Sequence, residues 1–353
     1  MKILHLLPTL EYSGASRQVL TLAPSLLRRG HDVVVCALGS DGPWGRRLRE
    51  QCVAVHALRW TRAIDPTPLW KLHRLLDAVQ PDVIHAWRAP VLRTLALVGK
   101  KWLPRTIVSR VLFGKQRKLG RLDRWLLRRV RSVAVSGTWE HDRLIEFGLE
   151  ESKLALTPPG VQVKTEAAPS ALALPPGPRV AVVGPLEAHK GVYEAMWTLD
   201  MMGFSFHDLQ LVVIGTGPEE ARLRRFAGQI PHGANVHFVG PAAETANILA
   251  QVDICWVPSL ADGGCQVALE AQAAGCAVIA SALPSLREVV ASGTTGIFVP
   301  PGDKVALARA TRDLLVEAPL RRRLGAAGRA WAGANFPAQA FVDRCAQVYQ
   351  EAA

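Results

Sequence analysis

Short apolar runs alternate along this chain with stretches in which apolar residues return every three or four positions. Ile3–Leu7, Asp32–Ala37, Asp82–His85, Thr106–Val108 and Ser132–Ser136 read as strands. Between them Ser16–Arg29, Pro68–Val79, Arg121–Arg131 and Thr138–Phe147 read as helices. A second series of strands runs through Arg179–Val183, Gln210–Ile214, Asn235–Val239, Ile254–Val257 and Ala277–Ala280. Its helices are Gly191–Met201, Glu219–Ala227, Thr245–Ala250, Val267–Ala274 and Val305–Leu315. Strand–helix alternation at this spacing predicts an α/β protein with parallel sheets and helices on both faces.

The two series are separated by residues 163–178, which hold four prolines and no clear periodicity. The expected organisation is a first domain over 1–162, a linker over 163–178 and a second domain over 179–336. A helix over 337–353 is expected to cross back to the first domain. Two doubly wound, Rossmann-like domains facing a central cleft would bind ligands outside the carboxyl ends of their strands.

At 353 residues and 49% hydrophobic content, each domain can bury a full core. No apolar run reaches the roughly 20 residues of a membrane span. The opening MKILHLLPTLEYSG is broken too early by Pro8 and Glu11 for a signal peptide and reads as a buried strand. Six scattered cysteines without a CxxC pair argue against a zinc site or a disulfide framework and fit a reducing cytoplasm.

Candidate chemistry concentrates in PSLADGGCQVALEAQAAGCAVIAS, residues 258–281. Asp262 and Glu270 stand eight positions apart, with the Gly263-Gly264 turn after the first and a helix carrying the second. A glycine turn that opens a helix suits a phosphate, through free N–H groups and the helix dipole. Carboxylates suit the hydroxyls of a ribose and a sugar, so the spacing fits a nucleotide-sugar site. It equally fits an acidic surface turn before an amphipathic helix. Gly14, between the first strand and the first helix, permits a close backbone approach to a diphosphate; a plain turn glycine is the other reading. The surrounding sequence is not GxGxxG, which disfavours a dinucleotide site. Lys190, just before a helix, adds a cation to that helix N-terminus, although Lys-Gly at a helix start is also common surface chemistry. His85 ends a buried strand, as a cleft residue or a satisfied core histidine. Gly215-Thr216-Gly217 precedes two carboxylates that would repel a phosphate, and reads as a structural turn.

These pieces occur in the order and spacing of the family-four glycosyltransferases, and the chain resembles that family over nearly its whole length. The family signature is a Glu, a Gly-rich turn and a second Glu eight positions on. It is matched here by Asp262, Gly263, Gly264 and Cys265 with Glu270-Ala271. The Gly14 loop, Arg29–Val33, Asp82–His85, Pro159-Gly160-Val161, Gly184…Lys190-Gly191, Arg287-Glu288-Val289 and Pro301-Gly302-Asp303 fall in register with it. The resemblance implies a GT-B fold and a retaining, metal-independent transfer from a UDP- or GDP-sugar donor, with no cofactor, to a glycan or lipid-linked acceptor. That places the chain in cell-envelope or exopolysaccharide synthesis. It implies His85, Lys190 and Asp262 as catalytic residues. Gly14, Lys190, Asp262, Gly263, Gly264, Cys265, Gln266 and Glu270 would bind the donor, Glu270 through the ribose hydroxyls. The chain departs from the pattern at Pro185, where an arginine for the diphosphate is usual, and at Asp262, a methylene shorter than Glu. Arg17 or His189 could replace the lost charge. A degenerate, non-catalytic nucleotide-sugar-binding protein and a GT-B epimerase are the rival readings.

Charge changes the picture in one place. Of a net +12, residues 100–131 contribute twelve Lys or Arg against one acid, Asp123. Leu122, Trp125, Leu126 and Val130 are expected on one helical face, with five arginines around them. This segment suggests peripheral docking to an anionic membrane on its cytoplasmic side. A core stripe under solvated arginines is the other reading. No motif supports nucleic-acid binding.

Overall fold

The computed structural model describes residues 1–60, 65–112, 119–163, 174–242, 245–261 and 265–352. They form two compact units, Met1–Pro159 with Ala338–Ala353, and Gly160–Pro337.

Unit 1 runs β1 (Lys2–Leu7), α1 (Gly14–Arg28), β2 (Asp32–Ala37), α2 (Gly42–Glu50), β3 (Ala54–Ala57), α3 (Thr67–Val79) and β4 (Val83–Trp87). It continues through α4 (Ala89–Val98), β5 (Thr106–Ser109), α5 (Arg121–Leu127), β6 (Ser132–Val135), α6 (Thr138–Glu146) and β7 (Leu154–Leu156). The strands are all parallel, in the order β3-β2-β1-β4-β5-β6-β7. Strands β1, β2 and β4 are buried almost throughout, because helices cover both faces and leave no polar side to alternate with.

Unit 2 runs β8 (Arg179–Val183), α7 (Val192–Gly203), β9 (Gln210–Ile214), α8 (Glu220–Ala227), β10 (Val236–Gly240), α9 (Thr245–Leu249) and β11 (Ile254–Val257). Then follow α10 (Cys265–Ala273), β12 (Ala277–Ser281), α11 (Pro284–Arg287), β13 (Ile297–Val299), α12 (Lys304–Val316) and α13 (Ala318–Asn335). Its parallel order is β10-β9-β8-β11-β12-β13. Each unit is thus a doubly wound, Rossmann-like sheet, with its switch point between β1 and β4 or between β8 and β11.

The last helix, α14 (Ala338–Ala352), belongs to unit 1. It packs on α1, buries Phe341, Val342, Cys345 and Tyr349, and ties to α1 through an Arg29–Asp343 ion pair. Val161 and Val163 pack in the unit 2 core, so the change of unit precedes the proline-rich stretch; residues 164–173 of that stretch lie outside the described residues.

Several elements go beyond the sequence expectation. Helix α13 is long but rich in Ala and Gly, so its apolar stripe is faint. Strand β3 is a half-exposed edge of four residues. Helix α5 stops at Leu127 instead of reaching Arg131.

Candidate donor site

In doubly wound sheets the crevice at the switch point is where ligands sit. In unit 2 the two loops flanking that point are the ones leaving β8 and β11, and they carry the Lys190 and Glu270 motifs. They are locked together. Gly191 has φ 71°, and a Cβ there would stand 1.9 Å from the Pro258 carbonyl oxygen. Only glycine permits this approach. Two residues on, the Leu260 N–H donates to the His189 carbonyl at 2.8 Å. Lys190, at the end of a short 3-10 turn before α7, is therefore fixed beside the Pro258–Leu260 segment.

Asp262, Gly263 and Gly264 lie outside the described residues. Beyond them α10 opens at Cys265, whose thiol donates to the Ser285 carbonyl at 3.2 Å. Gln266 and Glu270, one turn apart on that helix, are both buried. The Gln266 amide donates through Nε2 to Glu270 Oε1 at 3.1 Å. Burial, with the Glu270 charge added, pushes the neighbouring Cys255 thiol up to about 12, so it stays protonated. Gly215 and Gly217 pack against the backbone of Gly184 and Leu186, and Leu186 N–H donates to the Thr216 carbonyl.

In unit 1, Gly14 is the first residue of α1, behind a capping box of Ser13 and Ser16. No acid stands in the first turn, so the positive end of the helix dipole is not offset there. A methyl group at Gly14 would meet the Arg110 guanidinium nitrogens at 3.2 and 3.3 Å. Arg110 follows β5 with φ 53°, a left-handed conformation that arginine rarely adopts. Arg59 after β3 and Arg88 after β4 share positive φ, at 55° and 94°. Among the described residues, three of the five non-glycine residues with positive φ are thus arginines just beyond carboxyl ends of this sheet. Such strain gathers at functional positions. Sequence reasoning missed Arg110, because left-handed backbone at an arginine leaves no sequence signal. Nearby Glu140 accepts from the N–H and hydroxyl of Ser136 and the N–H of Leu112. Burial pushes its carboxyl up, against those bonds and the Arg110 charge.

His85 is placed differently from the expectation for a catalytic residue. It sits mid-strand, paired with His5, and is 1% exposed. Its Nδ1 meets the Tyr349 hydroxyl at 2.5 Å and its Nε2 the Ser109 hydroxyl at 3.0 Å. Trp87 stacks on the ring at 4.2 Å. Burial, and then the neighbouring His5, hold the ring well below the ordinary histidine value. Both nitrogens are engaged inside the unit, so His85 joins α14 to the sheet and offers no nitrogen to a substrate. Of the two side chains expected to replace the lost arginine, His189 pairs with Glu187 at 3.2 Å and Arg17 lies over Trp44 at 5.2 Å.

The basic segment divides. Leu126 and Val130 are core, and Asp123 is buried under a bidentate pair with Arg93, at 2.6 and 2.5 Å. Leu122 instead faces outward, because the buried face of α5 is centred on Asp123, Leu126 and Leu127. Helix α4 packs between α3 and α5. Leu122, Leu97 and Trp70, one on each helix, are 58%, 74% and 56% exposed. Arg129 and Lys100 lie over Trp125 at 3.9 and 5.2 Å. Lys115, Arg117 and Lys118 fall outside the described residues. No described helix is long and apolar enough to cross a membrane.

Two family models match the chain in tandem: Glycosyltransferase Family 4 over residues 12–165 and Glycosyl transferases group 1 over residues 165–331. The glycogen synthase of Mycobacterium tuberculosis is 26% identical over 392 residues, covering 97% of this chain and 92% of its own. A phosphatidyl-myo-inositol mannosyltransferase of Mycobacterium leprae is 34% identical over 145 residues, 40% of this chain and 38% of its own. Among solved structures, Anabaena Alr3699/HepE in complex with UDP-glucose superposes with a TM-score of 0.82 at 17% identity, covering 98% of each chain. The two matched models meet at residue 165 and together span both units: the chain belongs to the family-four glycosyltransferases of the GT-B fold.

Proposed function

We propose that this glycosyltransferase is a retaining enzyme that takes a UDP- or GDP-sugar and passes the sugar to a glycan or lipid-linked acceptor in cell-envelope or exopolysaccharide synthesis. The observation that carries the reading is the locking of the Lys190 loop to the Glu270 loop at the switch point of unit 2. Glu270 takes ribose hydroxyls and Asp262 the donor sugar, while the amides from Gly263 to Gln266 line the sugar and diphosphate. As the nucleoside diphosphate leaves from the front face, the charge it gains is met by Lys190 and the Gly14 amide. Fixed donors and a cation suffice for such stabilisation without a metal. Arg110, which lies against Gly14, adds a guanidinium beside that amide. The UDP-glucose carried by the Anabaena neighbour favours the UDP form.

Turnover of UDP-, GDP- and ADP-sugars without acceptor, followed by release of the nucleoside diphosphate, tests the reading. Release with one donor, lost in Lys190→Ala and Glu270→Ala, is expected. Binding without turnover would instead identify the degenerate, sugar-nucleotide-binding protein that Pro185 favours, and no binding of any donor would exclude both.

The exposed Leu97, Leu122 and Trp70 on three packed helices, with Lys100 and Arg129 over Trp125 of the last, support docking to an anionic membrane at its cytoplasmic side. Vesicles containing phosphatidylglycerol should carry the protein upward in flotation at low salt. Leu97→Asp with Leu122→Asp should abolish this, and equal flotation with phosphatidylcholine alone would remove the electrostatic part.

A further inference from the structure

Among the described residues, a buried side-chain oxygen on α10 meets no hydrogen-bond donor. The Gln266 side chain, in a residue only 9% exposed, points its Nε2 at Glu270 Oε1 (3.1 Å) and at the Gly160 carbonyl (3.5 Å). Both neighbours are acceptors, so the amide can be oriented only with its NH2 toward them, which turns Oε1 away. There Oε1 is buried and finds no donor among the described residues. A buried carbonyl left so costs about 1–3 kcal/mol, and native proteins keep few of them. Gln272 also leaves its Oε1 unpartnered, but that residue is wholly enclosed, bonded to Val289 and Thr295 inside the fold. Gln266 stands on the first turn of α10, one helical turn from Glu270.

The chemistry of this pair is selective. A carboxylate next to an amide oxygen repels a phosphate and attracts neighbouring O–H donors. Two adjacent hydroxyls on one ring, a cis-diol, present such donors together. Because Nε2 already holds Glu270 in place, the two acceptors are fixed relative to each other before a ligand arrives.

We propose that Gln266 is a specificity-determining residue that reads the donor's ribose: its Oε1 accepts one ribose hydroxyl while Glu270 accepts the other. This deepens the donor reading above and rests on it. The ribose, and with it the distinction between ribo- and deoxyribonucleotides, is then read by two side chains of one helix.

Titration calorimetry of the full-length protein with UDP, GDP and ADP first identifies the diphosphate that binds. Its 2′-deoxy and 3′-deoxy forms are then compared on the wild type and on Gln266→Leu. Each deoxy form is expected to bind the wild type about tenfold more weakly. Gln266→Leu should weaken the parent diphosphate by a similar factor and abolish discrimination against one deoxy form only. Unchanged discrimination against both forms would overturn the proposal. So would equal loss for both, which marks a residue that merely orients Glu270. Gln266→Met, similar in length and lacking the acceptor, repeats the comparison if thermal melts show the leucine variant unfolded. Failure of the wild type to bind any of the three diphosphates would bring down the donor reading itself.

Discussion

The two units share one architecture, yet the strands beside their switch points differ: those of unit 1 carry a buried polar cluster and those of unit 2 do not. In unit 1 that cluster lies in the middle of the sheet. His5 and His85 face each other across β1 and β4, Trp87 donates to His5 at 3.3 Å, and Tyr349 and Ser109 close on His85. In unit 2 the middles of β8, β11 and β12 are apolar, and Gln266 and Glu270 stand on the helix that follows β11. A polar group at mid-sheet is consumed by its neighbours and holds a scaffold together. One at the carboxyl edge remains within reach of a ligand. The difference separates residues that keep unit 1 folded from residues assigned to the donor.

The largest expected effect sets the two layers against each other. Lys190→Ala and Glu270→Ala should each lower sugar transfer by about 10²–10³-fold, the scale on which a preorganised charge-stabilising group acts. Both should lower the thermal midpoint less than loss of the His85 ring does. His85→Ala should do the reverse. It strands the Tyr349 and Ser109 hydroxyls in a cavity, at a cost of about 2 kcal/mol or more, while affinity for the nucleoside diphosphate persists. Kinetics and melting curves on the same three proteins decide it. A stable His85→Ala protein that had lost transfer as Lys190→Ala does would return His85 to the site.

The same contrast explains what was legible in the sequence. The alternation of strand and helix predicts both sheets, because a parallel sheet needs a crossover between successive strands. The Lys190 and Glu270 motifs are legible because each follows a recognisable strand and opens a helix. His85 is misleading for a physical reason. Asp-Val-Ile-His reads the same whether the imidazole meets a ligand or a partner 264 residues away, and that partner is Tyr349. Arg110 is illegible for the opposite reason. Its place beside Gly14 depends on a left-handed backbone angle, and nothing in Ser109-Arg110-Val111 encodes one. The ribose reader is half legible: the spacing shows Gln266 one turn from Glu270, but only the fold shows that its oxygen lacks a partner.

Acid should separate the units next. Burial pulls His5 from 6.5 down to about 3, and His85 is lowered in the same direction. The groups packed around them are Trp87, Ser109, Tyr349 and, beyond it, Cys345, and none is a carboxylate. With folded values below the unfolded one, the unfolded chain binds more protons between about pH 3 and 6.5. Stability is therefore complete above about pH 6.5 and falls as pH drops toward about 3. His5 alone should remove about 2 kcal/mol by pH 5. Buried thiols report each unit: Cys36 and Cys345 in unit 1, Cys255 and Cys276 in unit 2. Pulse labelling with a dipyridyl disulfide, which reacts in acid, should show the unit 1 pair exposed at lower urea at pH 5 than at pH 7. The unit 2 pair should shift less. Equal shifts would mean that the mid-sheet histidines do not govern acid stability.

The smallest effect bears on the edge of unit 1, where the comparison is least one-sided. Arg59, Arg88 and Arg110 show that this sheet also carries charge at its carboxyl ends, on strained backbone. If Arg110 meets the leaving diphosphate, Arg110→Gln should weaken nucleoside-diphosphate binding by about tenfold, near the lower value of one charge-assisted hydrogen bond. Binding of the free nucleoside, which has no phosphate, should be unaffected. Arg110→Lys should recover only part of the loss, since an ammonium keeps the charge without the planar fork. Arg110→Gly addresses the backbone separately. Glycine accepts φ 53° without strain, so this variant should melt no lower than Arg110→Gln while binding the diphosphate equally poorly. If instead Arg110→Gln lowered affinity for nucleoside and diphosphate alike, Arg110 would be supporting the loop around Glu140, and the edge of unit 1 would be scaffold like its middle.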